Sequence, residues 1–217
     1  ALARMSVFVA FFAPLFAAPV IVSKWPKTDD ENTKQEEYAE KISQTLWERG
    51  LLERTTIELE NKNFFLYRLH PALGVFIKER LSENETESVK ENYWQSMNRL
   101  VNLAIVLRDR DPLMNTIASR SSADLIHASE FKSDADTSFM QFGIGKLLQQ
   151  FGLHDDALKM LDKSSKLFEK LNNLQSESGA LTQMAGIYVT YGNLDEAMRL
   201  YQQSLEIEER LSDLKGK

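Results

Sequence analysis

Cysteine is absent from the 217-residue chain. Its absence excludes disulfides, Cys-ligated zinc and thiol chemistry, and suits a reducing, cytoplasmic setting. Glycine (9) and proline (5) are scarce, which excludes collagenous and Pro/Gly-rich low-complexity chains. Histidine is rarer still: His70, His127 and His154 fall in three separate segments. None has a Ser or acid at triad spacing, so no catalytic residue is expected. No metal site is expected either, since His154-Asp155-Asp156 reads as the acidic opening of a helix. Basic runs are missing too. The formal charge is −6, with 11 basic and 11 acidic residues in 1–82 and 15 against 21 in 83–217. Phosphate neutralisation dominates nucleic-acid affinity, so no nucleic-acid partner is expected.

What is present is a chain with 43% hydrophobic residues, enough for a substantial core. It opens at Ala1 without an initiator Met and stops within a repeat pattern, which points to a segment of a longer protein. Residues 6–22 carry no charge. They can be read as a buried helix ending in a Pro-marked turn, as a signal sequence, or as a short spanning helix interrupted by Pro14 and Pro19. The first reading implies no membrane partner. The others would make the chain an exported or membrane-tethered scaffold.

Residues 27–34 are polar and read as a loop. Tyr38, Ala39, Ile42, Leu46 and Trp47 then recur at one-face helical spacing over 36–49, and Gly50 ends that helix. Residues 51–55 and 64–69 are strand-like, joined by a polar tip at 58–63. Pro71 can open a further helix with Leu73, Phe76, Ile77 and Leu81 on its buried side. Helix, helix, hairpin, helix is the order of a winged helix over residues 1–82. A transcriptional regulator is therefore one reading, but the helix that would meet DNA holds Glu36, Glu37, Glu40 and Glu48 against Lys41 and Arg49.

This segment resembles the winged-helix region of NB-ARC-type (STAND) signal-transduction ATPases. Residues 2–20, the Leu-Trp-Glu-Arg-Gly-Leu-Leu run at 46–52 and Tyr67-Arg68-Leu69-His70-Pro71 carry the likeness. The resemblance implies that His70 reaches the β-phosphate of bound ADP in a longer protein, with Pro71 where the family usually has an acid. ADP or ATP is thus implied for that protein. This segment has no G-x-x-x-x-G-K-[ST] loop, and no cofactor is expected within it.

Residues 88–108 and 111–131 are helical by pattern and read as a bridge or degenerate repeat over 83–137. Beyond it, sliding the chain by 40 aligns residues 151–174 with 191–214, with seven of 24 positions identical. Gly152/Gly192, Asp155/Asp195, Ala157/Ala197 and Ser164/Ser204 are among them. A Gly ends one helix, acids open the next, and the small Ala sits where two helices touch. Residues 138–217 resemble tetratricopeptide repeats (TPR) in the 40-residue form of kinesin light chains. Gly145, Leu148 and Leu161 depart from the pattern, implying looser packing or an unusual neighbour in the first copy.

The expected fold is therefore mainly α: a winged-helix-like module, a helical bridge, and an α-helical TPR solenoid of two copies. The resemblance implies a protein or peptide partner in a groove lined by Phe142, Lys146, Gln149 and Gln150 from the first copy. Thr182, Gly186, Val189 and Thr190 come from the second. The last hairpin is expected to expose an apolar side, through which copies could self-associate. Scaffold packing on the protein's own ATPase core is the plainer use of the same surface.

Overall fold

The computed structural model describes residues 1–22, 24–59, 61–70, 73, 81–108 and 110–215. The helix expected to open at Pro71, with Phe76 and Ile77, lies outside the described residues. The chain is mainly α-helical and divides into two compact units, Ala1–Phe131 and Lys132–Lys217.

In the first unit, α1 (Leu2–Met5) and α2 (Pro14–Val22) replace the single helix expected over 6–22. Between them Phe12 bridges to Tyr67, its N–H donating to the Tyr67 carbonyl at 2.7 Å and its carbonyl accepting at 2.9 Å. Pro14 suits the first turn of α2, where its missing N–H costs no bond. Residues Phe16 to Ile21 are buried, and α2 packs on the next helix, α3 (Asp29–Glu48). Among the described residues, no helix is long and apolar enough to cross a membrane.

Helix α3 starts well before the expected residue 36. Thr28 caps it by accepting from the Glu31 N–H, and Asp29, Asp30 and Glu31 complement the helix dipole. The reading of 27–34 as a loop fails because capping, unlike burial, needs no apolar period. Gly50, at φ 71°, ends the helix. Strands β1 (Leu52–Leu59) and β2 (Lys62–Leu69) pair antiparallel from Leu52↔Leu69 to Leu59↔Lys62. On this hairpin Arg54 lies between the Trp47 and Phe65 rings, 3.4 and 4.4 Å from their centroids.

Helix α4 (Glu83–Val106) begins five residues before the expected 88, because Ser82 and Glu85 form a reciprocal capping box. The expected helix over 111–131 is two helices, α5 (Pro112–Arg120) and α6 (Ser122–Ala128). The break falls at Ser121, whose hydroxyl donates to the Phe11 carbonyl at 3.0 Å. Nearby, both oxygens of the buried Asp124 carboxylate accept backbone N–H groups, Val9 at 2.7 Å and Ala10 at 3.0 Å. The Tyr93 hydroxyl donates to the same carboxylate at 2.7 Å. Desolvation by burial raises the Asp124 pKa to about 6 despite these three donors.

The second unit is two consecutive helix hairpins: α7 (Ala135–Gln150) with α8 (His154–Lys170), and α9 (Leu174–Thr190) with α10 (Leu194–Lys215). Gly152 and Gly192, forty residues apart, turn the two hairpins at φ 77° and 72°, a conformation that glycine adopts without a Cβ clash.

Candidate partner-binding groove

Helix α7 meets α9 along glycines. A Cβ on Gly179 would lie 3.8 Å from Phe142 Cζ, and one on Gly186 would lie 3.9 Å from Gln149 Nε2. The two first helices of the hairpins therefore run side by side, with seven residues, close to two turns, between the glycine contacts. Phe142, Lys146 and Gln149 are half-buried on this side of α7, and Gln150 is exposed at its end. The Lys146 ammonium sits 5.6 Å from the Phe142 ring centroid, an attractive placement for a cation over an aromatic face. On α9, Val189 and Thr190 are exposed, and the Thr190 hydroxyl donates to the Gly186 carbonyl at 3.1 Å.

Thr182, exposed on α9, also contacts the second helix of its own hairpin. Its hydroxyl meets Ser204 Oγ of α10 at 2.9 Å. Ser204 in turn meets Ser178 at 3.0 Å, and Ser178 donates to Glu208 at 2.6 Å. These four residues join the helices of the second hairpin through hydroxyls. Forty residues earlier, Phe142 and Phe168 occupy the positions of Thr182 and Glu208, with ring centroids 6.2 Å apart. The same repeat position is thus aromatic in one hairpin and polar in the next.

Two residues of this surface escape the sequence reading. Phe139, half exposed, stacks edge-on against the buried Phe168 ring at 5.0 Å. Gly179 admits Phe142 beside it. Their signals were local: Phe139 stands one turn before Phe142, and Gly179 two turns before Gly186.

Gly145 resolves the alternative left open for the first hairpin. A Cβ there would lie 2.6 Å from Leu161 Cγ, and Leu161 is fully buried. The packing is close rather than loose, and the unusual neighbour is Leu161. Asp155 accepts from the Tyr191 hydroxyl at 2.7 Å, and Asp156 pairs with Lys159 at 2.9 Å. Among the described residues no three His, Asp or Glu side chains converge as metal ligands. In the first unit, the exposed His70 follows β2, with its N–H donating to the Leu51 carbonyl at 3.2 Å.

Residues 136–210 match the tetratricopeptide repeat family. No curated protein and no solved structure matches the chain. The matched span covers both hairpins, from the first turn of α7 to well into α10. Tetratricopeptide repeats are generally a non-catalytic fold that binds protein partners. The surface along α7 and α9 offers aromatic edges, an ammonium and two carboxamides. Carboxamides can hydrogen-bond an extended peptide backbone, while the rings accept apolar side chains.

Proposed function

We propose that this chain is a non-catalytic protein-interaction module of a signalling ATPase of the NB-ARC type, acting in the cytoplasm. The α7/α9 groove binds a protein or peptide partner, or packs on the ATPase core of the longer protein. The observation that carries the binding role is the paired first helices within residues 136–210, with Phe142, Lys146, Gln149, Gln150, Val189 and Thr190 along them. The ATPase context rests on the resemblance at residues 46–52 and 67–71. The Phe12–Tyr67 bridge beside a helix–helix–hairpin order is compatible with it. In that context partner binding shifts a closed ADP state toward an open one, with His70 on the nucleotide side of the coupling. On this reading the nucleotide is bound by the ATPase core of the longer protein.

Selection from a displayed peptide library against the whole chain tests the groove. Selected peptides are expected to lose at least tenfold in affinity when Phe142→Ala or Lys146→Glu is introduced. Peptides that bind both variants as well as the parent would refute it. The nucleotide role is tested in the longer protein, where His70→Ala should speed ADP release; unchanged ADP retention would remove that role. Self-association through the bare side of α10 is a second reading, favoured by the exposed Met198 and Leu205.

A further inference from the structure

Strand β2 has a second neighbour along only part of its length. Tyr67 donates its N–H to the Phe12 carbonyl and accepts the Phe12 N–H in return. Its backbone groups therefore point away from Arg54, its partner on β1. Backbone groups along an antiparallel strand alternate in direction, so the N–H and C=O of Phe65 and of Asn63 face the same outer edge as those of Tyr67. No described residue bonds them there. On a continued strand the residue facing Phe65 would be Pro14, which has no N–H to give and opens α2 instead. The edge is thus left bare by a turn in the middle of the chain.

A cavity of about 260 Å³ lies along this edge. Residues Asn63 to Tyr67 form its floor, and Ala13, Pro14 and Leu15 also line it. One wall comes from α3, which lies on the Tyr67 side of the hairpin, since the Tyr67 hydroxyl donates to Gln44. That wall holds Glu40, which is exposed and is the one charged side chain among the described lining residues. The other wall is Leu113, Met114 and Ile117 of α5. Ser121, at the end of α5, bonds the Phe11 carbonyl, and the Phe11 ring meets Arg68, which points to the face of β2 opposite Tyr67.

We propose that the edge at Asn63 and Phe65 binds an extended peptide segment of a separate protein by strand addition. Two residues of the segment face Phe65 and Asn63 and exchange N–H and C=O with them. Their side chains turn toward α3, where the Glu40 carboxylate favours Lys or Arg. The residue between them turns to α5 and is apolar against Leu113, Met114 and Ile117. Among the described residues the chain has no further strand to fill the site. A second copy is the poorer occupant, because its β2 arrives flanked by its own α3 and α5, and the cavity admits a single strand. The site lies in the first unit and does not depend on the surface along α7 and α9.

The probe is a fluorescent peptide, acetyl-Thr-Lys-Val-Lys-Thr-amide, titrated with the intact chain and read by anisotropy. Saturable binding is expected, at least fivefold tighter than for the same peptide with Glu in place of both Lys. N-methylation of either Lys amide should weaken it at least tenfold. N-methylation of the Val amide, which points away from β2, should cost less than threefold. Glu40→Lys, at an exposed site, should reverse the preference between the Lys and Glu peptides. Asn63→Pro removes one edge N–H without touching the β1 ladder, and should weaken binding at least fivefold with an unchanged circular-dichroism spectrum. Phe142→Ala should leave it unaltered. No saturable binding, or equal losses from all three N-methylated peptides, overturns the proposal. So does a longer protein that fails to bind the peptide when residues 1–217 bind it, since its own chain then fills the edge.

Discussion

Leu161 occupies the space that a methyl group on Gly145 would need. Its Cγ and Cδ2 lie 2.6 and 2.8 Å from an ideal Cβ position, and the Leu161 side chain is fully buried. In the second hairpin the same pair is Ala185 and Tyr201, so small and large residues are differently matched at one repeat position.

Gly145→Ala should therefore destabilise the chain by about 1–3 kcal/mol from overpacking, outweighing the roughly 0.5–1 kcal/mol that alanine gains in a helix. Urea denaturation reads the change. In a Leu161→Ala background the same substitution should become neutral or stabilising. A cost that persists there would refute the steric account.

Gly186→Ala should act in the opposite direction. The nearest atom to its Cβ is Gln149 Nε2 at 3.9 Å, an ordinary contact. Stability should rise by about 0.5–1 kcal/mol on helix propensity alone. Thermal unfolding of the two glycine variants side by side tests whether the neighbour or the residue type decides.

Asp124 should make stability fall as pH rises from about 4 to about 6. Burial raises its folded-state pKa to about 6, against roughly 3.9 in an unfolded chain. The folded state therefore prefers the protonated form. Its contribution is fully present below the unfolded pKa and is lost as pH passes the folded one. The span amounts to about 3 kcal/mol. Denaturation midpoints measured from pH 3.5 to 7 should show this slope in the parent chain, and Asp124→Asn should flatten it. An unchanged slope in the variant would assign the dependence to other groups.

Ser204→Ala should cost about 1–2 kcal/mol, because it strips a partner from both the Ser178 and Thr182 hydroxyls inside the second hairpin. Ser164→Ala, at the equivalent place in the first hairpin, should cost less. Its hydroxyl donates only to the Leu161 carbonyl within its own helix. Comparing the two in urea measures the inter-helix cluster against a local bond.

The hairpin architecture of residues 132–217 was legible in the sequence because its signals are local. Gly152 and Gly192 sit forty residues apart, acids follow each, and Ala157 and Ala197 mark the helix contacts. The helix starts at Asp29 and Glu83 were missed because Thr28 and Ser82 act by accepting one backbone N–H, which leaves no apolar rhythm to find. The break at Ser121 was missed for a related reason, since its hydroxyl answers to Phe11, 110 positions away. On the α7/α9 surface, Phe142, Lys146, Gln149 and Thr182 were named from their position in the repeat. The contact of Thr182 with Ser204 was not legible, because its hydroxyl could turn either outward or to α10.

By itself the sequence determined the helical class, the period of the repeat and the helix ends at Gly50, Gly152 and Gly192, all consequences of spacings within a few turns. Only the tertiary structure decided that Leu161 needs Gly145, that Thr182 belongs to a hydroxyl cluster, and that Asp124 is buried under Val9 and Ala10. Each of these depends on which distant segment arrives at a given face, and periodicity assigns a residue to a face without naming its neighbour.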